Sequence, residues 1–132
     1  MNLLLVLPLV LPLRGAALCL LLPRRPRARR LVALSVLGAA TAASVAILAR
    51  VQDDGVAVTE VGGWPAPIGV VLAVDSFAAI MLVVAALMVL AVFVYAIGQP
   101  TTDVRSPWFE PLYLVLTAGV ALSFLTGDLF NL

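Results

Sequence analysis

The stretch FAAIMLVVAALMVLAVFVYAI, Phe77–Ile97, carries no charge and no helix breaker. As an α-helix it would extend about 32 Å, enough to cross a hydrocarbon layer of ~30 Å. A helix on the surface of a soluble domain is apolar along one stripe only. This one is apolar all round, and it reads as a membrane span. The rest of the chain agrees: 64% of its 132 residues are hydrophobic and 11% charged, against roughly 45–50% apolar residues in a soluble domain.

Working outward, the few charges are bunched and leave further apolar runs of similar length. The chain is therefore expected to be an all-α, polytopic membrane protein. Its single membrane unit, 1–132, would hold four transmembrane helices at about 2–22, 31–49, 68–98 and 108–126. The first run contains Pro8, Pro12 and Arg14. It has no basic start and no small-residue cleavage site, so it is read as a retained helix rather than a signal peptide. Proline is tolerated where neighbouring helices satisfy the freed carbonyls, and Arg14 can reach the interface along its own aliphatic stem.

Five arginines, Arg24, Arg25, Arg27, Arg29 and Arg30, crowd the first connection. Between two apolar runs such a cluster sets orientation rather than binding nucleic acid, placing this loop in the cytoplasm and the N-terminus outside. The second run carries small residues, Ser35, Gly38, Ala39, Ala42, Ala43 and Ala46, at helical spacing. That smooth face is expected to meet another helix. The connection from Arg50 to Pro67 is acidic and rich in Gly and Pro, and is expected outside the cell, with Trp64 at headgroup level. Val56–Val61 alternates apolar and polar residues and could form a brief extended segment. The absence of Lys beside abundant Ala, Val and Arg fits a bacterial genome of high GC content.

Chemistry-bearing residues are scarce. There is no His, and the lone Cys19 lies in an apolar run, so no metal cluster, haem, iron–sulfur centre or disulfide framework is expected and no cofactor is assigned. Asp75 stands at the outer start of the third span, where a carboxylate faces the positive end of the helix dipole; the alternative places it on a water-accessible path. Glu110, before Pro111, opens the fourth span in the same way, and with Tyr113 and Thr117 it could form a polar strip facing neighbouring helices. The chain closes on GDLFNL, Gly127–Leu132. Gly127 is expected to take a left-handed cap, and Asp128 suits the N-cap of a following helix. The hexapeptide thus reads as a corner between two helices, and the chain as truncated at its C-terminus. Asp75, Glu110 and Asp128 are the candidate ion-path or structural polar residues. No phosphate-binding loop, nucleophile–base pair or metal-ligand spacing supports an enzyme.

Four segments carry a family resemblance. Trp64-Pro65-Ala66-Pro67-Ile68-Gly69, Val74-Asp75-Ser76-Phe77-Ala78, Phe109-Glu110-Pro111-Leu112-Tyr113 and the closing Gly127–Leu132 resemble the N-terminal part of the D-type subunit of Mrp-type monovalent cation/proton antiporters. That family is similar to the proton-pumping membrane subunits of NADH–quinone oxidoreductase and membrane-bound hydrogenases. The third helix and the hexapeptide are the most specific parts, while the first two helices match only as hydrophobic segments. The resemblance implies a bundle of about fourteen helices with inverted repeats, located in the bacterial cytoplasmic (inner) membrane. It also implies other membrane subunits as partners, with Na⁺ or another monovalent cation exchanged for protons at the expense of the proton gradient. The family's central glutamate lies in the helix after the hexapeptide and its key lysines further on, so neither is carried over to a residue here. Two alternatives remain: a proton-pumping subunit of a redox complex, and a small four-helix assembly subunit without transport.

Overall fold

The computed structural model describes residues 3–22, 24–64, 68–99 and 101–127. Helix α1 spans Leu3–Leu20 and α2 Pro26–Asp54; strand β1 spans Ala57–Glu60 and β2 Val71–Val74; α3 spans Ser76–Ile97, the short α4 Thr102–Arg105, and α5 Phe109–Leu125. Three helices, α1, α2 and α3, are long and apolar enough to cross a membrane. At 17 residues α5 reaches the lower limit for a crossing. The chain is a multi-pass membrane protein, all-α in its spans. Its extramembrane connection adds one small antiparallel hairpin, with Ala57 opposite Val74 and Glu60 opposite Val71.

Round the bundle, α1 packs on α2, α2 on α3, α3 on α5 and α5 back on α1, leaving α2 and α5 across the diagonal. Successive helices run in opposite directions, so α2 and α5 both begin at the end that carries the arginines. The two core clusters mark the two ends. Leu5, Ile47, Val51, Leu72, Val74, Leu82 and Leu125 pack where the hairpin sits, while Ala16, Cys19, Ala33, Leu37, Phe93 and Leu114 pack at the arginine end. Pro8 and Pro12 are both buried inside α1, which continues through them.

Several boundaries differ from those read in the sequence. The second helix starts at Pro26 rather than near Leu31, because proline with its missing N–H suits the first helical position, and it runs on to Asp54. The third does not begin at Ile68. Val71–Val74 instead pairs as β2, and the helix starts only after Asp75, whose side chain accepts the N–H of Ala78 at 2.7 Å as an N-cap. The Val56–Val61 alternation does form a strand, β1, since β2 supplies the partner that a lone segment lacks.

Two expectations about small residues are corrected. The buried face of α2 runs through Arg29, Ala33, Leu37, Ala40, Ser44, Ile47 and Val51. Ser35, Ala39 and Ala42 are exposed, so of the predicted smooth face Ala43 alone is fully covered within this bundle. The close approach belongs to Gly15, where a Cβ would lie 2.8 Å from Val36 and 3.2 Å from Leu114. Gly127 does not take the left-handed conformation. Thr126 caps α5 in extended form, and the Gly127 N–H donates to Val71 O at 2.9 Å. A Cβ there would stand 2.8 Å from that of Ala73, so the glycine is needed for contact with β2. The remainder of the hexapeptide, including Asp128, lies outside the described residues.

Gly15 and Gly38 provide a matched test. Gly15→Val should lower the thermal midpoint of the detergent-solubilised chain by the equivalent of about 1–3 kcal/mol through overpacking. Gly38→Ala, with no atom within 4 Å of the new methyl group, should leave that midpoint unchanged or raise it slightly.

Candidate functional site

The polar feature of the bundle lies at its arginine end. Glu110 is the second residue of α5 and is wholly buried, 0% exposed; Arg29, in the first turn or so of α2, is 3% exposed. Arg29 Nε donates to Glu110 Oε2 at 3.2 Å, and its Nη1 donates to Leu22 O at 3.3 Å. The other carboxylate oxygen, Oε1, accepts no hydrogen bond among the described residues and faces Arg30 Nε at 3.9 Å. Cys19, at the end of α1, donates from Sγ to Arg29 O at 3.7 Å. Residues of α1, α2 and α5 thus meet around this ion pair.

Electrostatics explains the placement. α2 and α5 direct two positive dipole ends to this end of the bundle, and Arg29 and Arg30 add two guanidinium groups. Glu110 is the acid in the first turn of α5, and α2 has none in its own. One carboxylate thus balances two helix N-termini and two cations. Burying such a pair gains little net stability, because desolvation offsets the Coulomb attraction. Removing one partner is costly, because it strands the other charge.

Below the ion pair lies an aromatic layer. Phe93 of α3 stacks on Phe109 at 6.0 Å and meets Tyr113 at 5.2 Å, and Phe109 meets Tyr113 at 5.7 Å. The Tyr113 hydroxyl donates to Val89 O of α3 at 2.6 Å. One turn on, Thr117 is buried and its hydroxyl donates to Tyr113 O at 2.8 Å. Glu110, Tyr113 and Thr117 thus form the strip toward neighbouring helices that their spacing allowed. Between the helices a cavity of about 20 Å³ is bordered by Pro8, Ala40, Ser44, Leu82, Val89 and Thr117. Both hydroxyls in its wall are turned back on their own helices, Ser44 to Ala40 O and Thr117 to Tyr113 O. A single water would fit by volume but would lack the two to four polar partners it needs.

The three sequence candidates are not brought together. Glu110 sits at the arginine end, Asp75 caps α3 at the hairpin end and is exposed, and Asp128 lies outside the described residues. Reading the arginines as an orientation signal overlooked the two that turn inward. The signal was present: Arg29 continues the buried Ala33, Leu37, Ala40 series by one helical step, as Glu110 does the Leu114, Thr117, Ala121 series. Among the described residues no three His, Cys, Asp or Glu side chains converge as metal ligands.

No protein-family profile matches the chain. Individual relatives do. The D-type subunit of the Na(+)/H(+) antiporter of Alkalihalophilus pseudofirmus is 32% identical over 132 residues, 100% of this chain and 27% of the relative. The D-type subunit of a probable K(+)/H(+) antiporter of Rhizobium meliloti is 37% identical, across 98% of this chain and 25% of its own length. In the structure of the Mrp complex from Dietzia sp., one chain superposes with a TM-score of 0.84 and 36% identity, over 99% of this chain and 24% of that one. The chain is related to the D-type subunits of Mrp-type antiporters along its whole length. It spans about a quarter of the length of those relatives.

Two mutation series follow from the site. Glu110→Ala or Arg29→Ala should each destabilise the fold by about 3–5 kcal/mol, read as lost thermal stability in detergent. The double variant Arg29→Ala, Glu110→Ala should lose clearly less than the sum of the two single losses, and additive losses would show that the pair is not the cause. At the other end, Asp75→Ala should cost about 1 kcal/mol and Asp75→Asn much less, since Asn is an equally good N-cap.

Proposed function

We propose that this chain forms the N-terminal four-helix part of a D-type membrane subunit in a multisubunit monovalent cation/proton antiporter. It would exchange Na⁺, or another monovalent cation, for protons in assembly with other membrane subunits. The observation that carries this reading is the whole-chain likeness, in both sequence and fold, to the Mrp-complex chain, with the antiporter relatives alongside. Within that assembly the present helices act as scaffold. Their core is largely apolar, and among the described residues the one buried carboxylate, Glu110, is held by Arg29 and Arg30.

Translocation needs an ionisable group between helices that changes protonation state as the pathway opens to either side. Glu110 is tied to two guanidinium groups and two helix N-termini, which makes it an anchor, and Asp75 is committed to capping α3. The chain thus acts as a transporter part. In the bacterial cytoplasmic membrane the arginine end faces inward and the hairpin end, with Asp53, Asp54, Glu60 and Asp75, faces outward.

The test is Na⁺-dependent proton movement in inverted vesicles containing the assembled complex with this chain. Activity should require the cation, and Glu110→Gln should lower the amount of assembled complex while leaving the cation KM unchanged. Proton movement that ignores the cation and follows quinone reduction would overturn the antiporter reading. For sidedness, a cysteine at Gly62 should react with an impermeant maleimide on intact cells and one at Arg27 only after permeabilisation.

A further inference from the structure

The arginine loop divides into two functional sets. Arg29 and Arg30 turn inward to Glu110, whereas Arg24, Arg25 and Arg27 are exposed, with no acidic partner for these three among the described residues. Their position is unusually electropositive. Arg25 is the N-cap of α2, no side chain caps that helix, Pro26 supplies no N–H, and no acid occupies the first turn. Glu110 answers the α2 dipole from inside the bundle, and the three outward guanidinium groups meet no acid among the described residues.

Beside the loop is an apolar slot of about 100 Å³ lined by Cys19, Leu20, Pro107 and Trp108. Trp108 is 61% exposed, as suits an aromatic side chain at the interface of a bilayer. The chain leaves Leu20 through tight turns, with Leu22 N–H to Cys19 O at 3.1 Å and Arg25 N–H to Leu22 O at 3.2 Å. One wall of the slot therefore lies within a few residues of the free guanidinium groups. Exposed guanidinium groups and an apolar recess at the same end of the bundle match a molecule with an anionic head and a hydrocarbon tail.

We propose that Arg24, Arg25 and Arg27, with the slot beside Trp108, bind an anionic phospholipid of the surrounding leaflet. The guanidinium groups hold its phosphate in forked hydrogen bonds, and Cys19, Leu20, Pro107 and Trp108 receive the first segment of an acyl chain. The lipid thereby bridges the start of α2 to the start of α5 on the outside of the bundle, opposite the link that Glu110 makes inside. This site requires only that the chain be embedded in a bilayer, and it stands whether or not the assembly exchanges cations.

The chain has two tryptophans, so Trp64→Phe leaves Trp108 as the reporter. In that background the full chain is reconstituted into phosphatidylcholine vesicles containing equal mole fractions of phosphatidylglycerol, with bromine on the acyl chains of one lipid or the other. Brominated phosphatidylglycerol should quench Trp108 about threefold more effectively than brominated phosphatidylcholine. Both leaflets carry the same mixture, so orientation does not affect the result. The triple variant Arg24→Gln, Arg25→Gln, Arg27→Gln should bring the ratio close to one, whereas Arg50→Gln at the opposite end should not change it. In the parent the preference should decline between about 0.1 M and about 1 M salt as charges are screened, a readout independent of whether the triple variant folds. Equal quenching by both lipids, a preference that survives the triple substitution, or one insensitive to salt would overturn the site. Loss of the preference when inorganic phosphate replaces chloride at constant ionic strength would identify a free-anion site instead, and would overturn the lipid assignment.

Discussion

A buried carboxylate cannot be left without compensation, and that constraint organises this bundle. Glu110 has no exposed surface, and it lies where α2 and α5 both begin. Each helix brings unsatisfied N–H groups and a positive dipole end, and α2 also brings Arg29 and Arg30. A single negative charge reconciles them all, joining two helices that otherwise stand across the diagonal of the bundle. Apolar packing in a bilayer is permissive, because lipid tails and leucine side chains are interchangeable as neighbours. An ion pair is not. It selects one register of α2 against α5.

The other end is held by different means. There the β hairpin covers the helix ends, Leu72 and Val74 point into the core, and the exit of α5 is tied to β2 through the Leu72 and Thr126 bridge and the Gly127 to Val71 bond. Backbone groups pair with backbone, so this end needs small residues rather than charge. Gly127 allows the approach, and Gly15 does the same between α1, α2 and α5 towards the arginine end. Between the two ends the interior is largely apolar; Ser44 and Thr117 bond within their own helices, and the Tyr113 hydroxyl reaches across to Val89 O of α3. Such a unit is suited to holding its shape.

Much of α3 remains uncovered. Phe77, Ile80, Val84, Leu87, Met88, Val92 and Val94 all point away from the bundle. In water a surface like this would drive association, but in a bilayer it faces lipid or further helices without penalty. The exposed small residues of α2 lie on the same kind of surface.

That the chain is built of long apolar helices suited to a bilayer was legible in the sequence alone, because an uninterrupted run of apolar residues satisfies the bilayer through its length, a local property. The capping role of Asp75 was not legible, because the apolar run continues back to Ile68 and only the pairing of Val71–Val74 as a strand places the helix start after Asp75. Only the tertiary structure decided which arginines turn inward, because Arg29 and Glu110 are 81 positions apart and their meeting depends on which helix faces pack. It likewise decided that Ala57–Glu60 and Val71–Val74 become strands, as a four-residue segment has no extended form of its own until a partner lies beside it. The function of Gly127 was decided there too, since the atom that excludes a side chain belongs to Ala73 on another element.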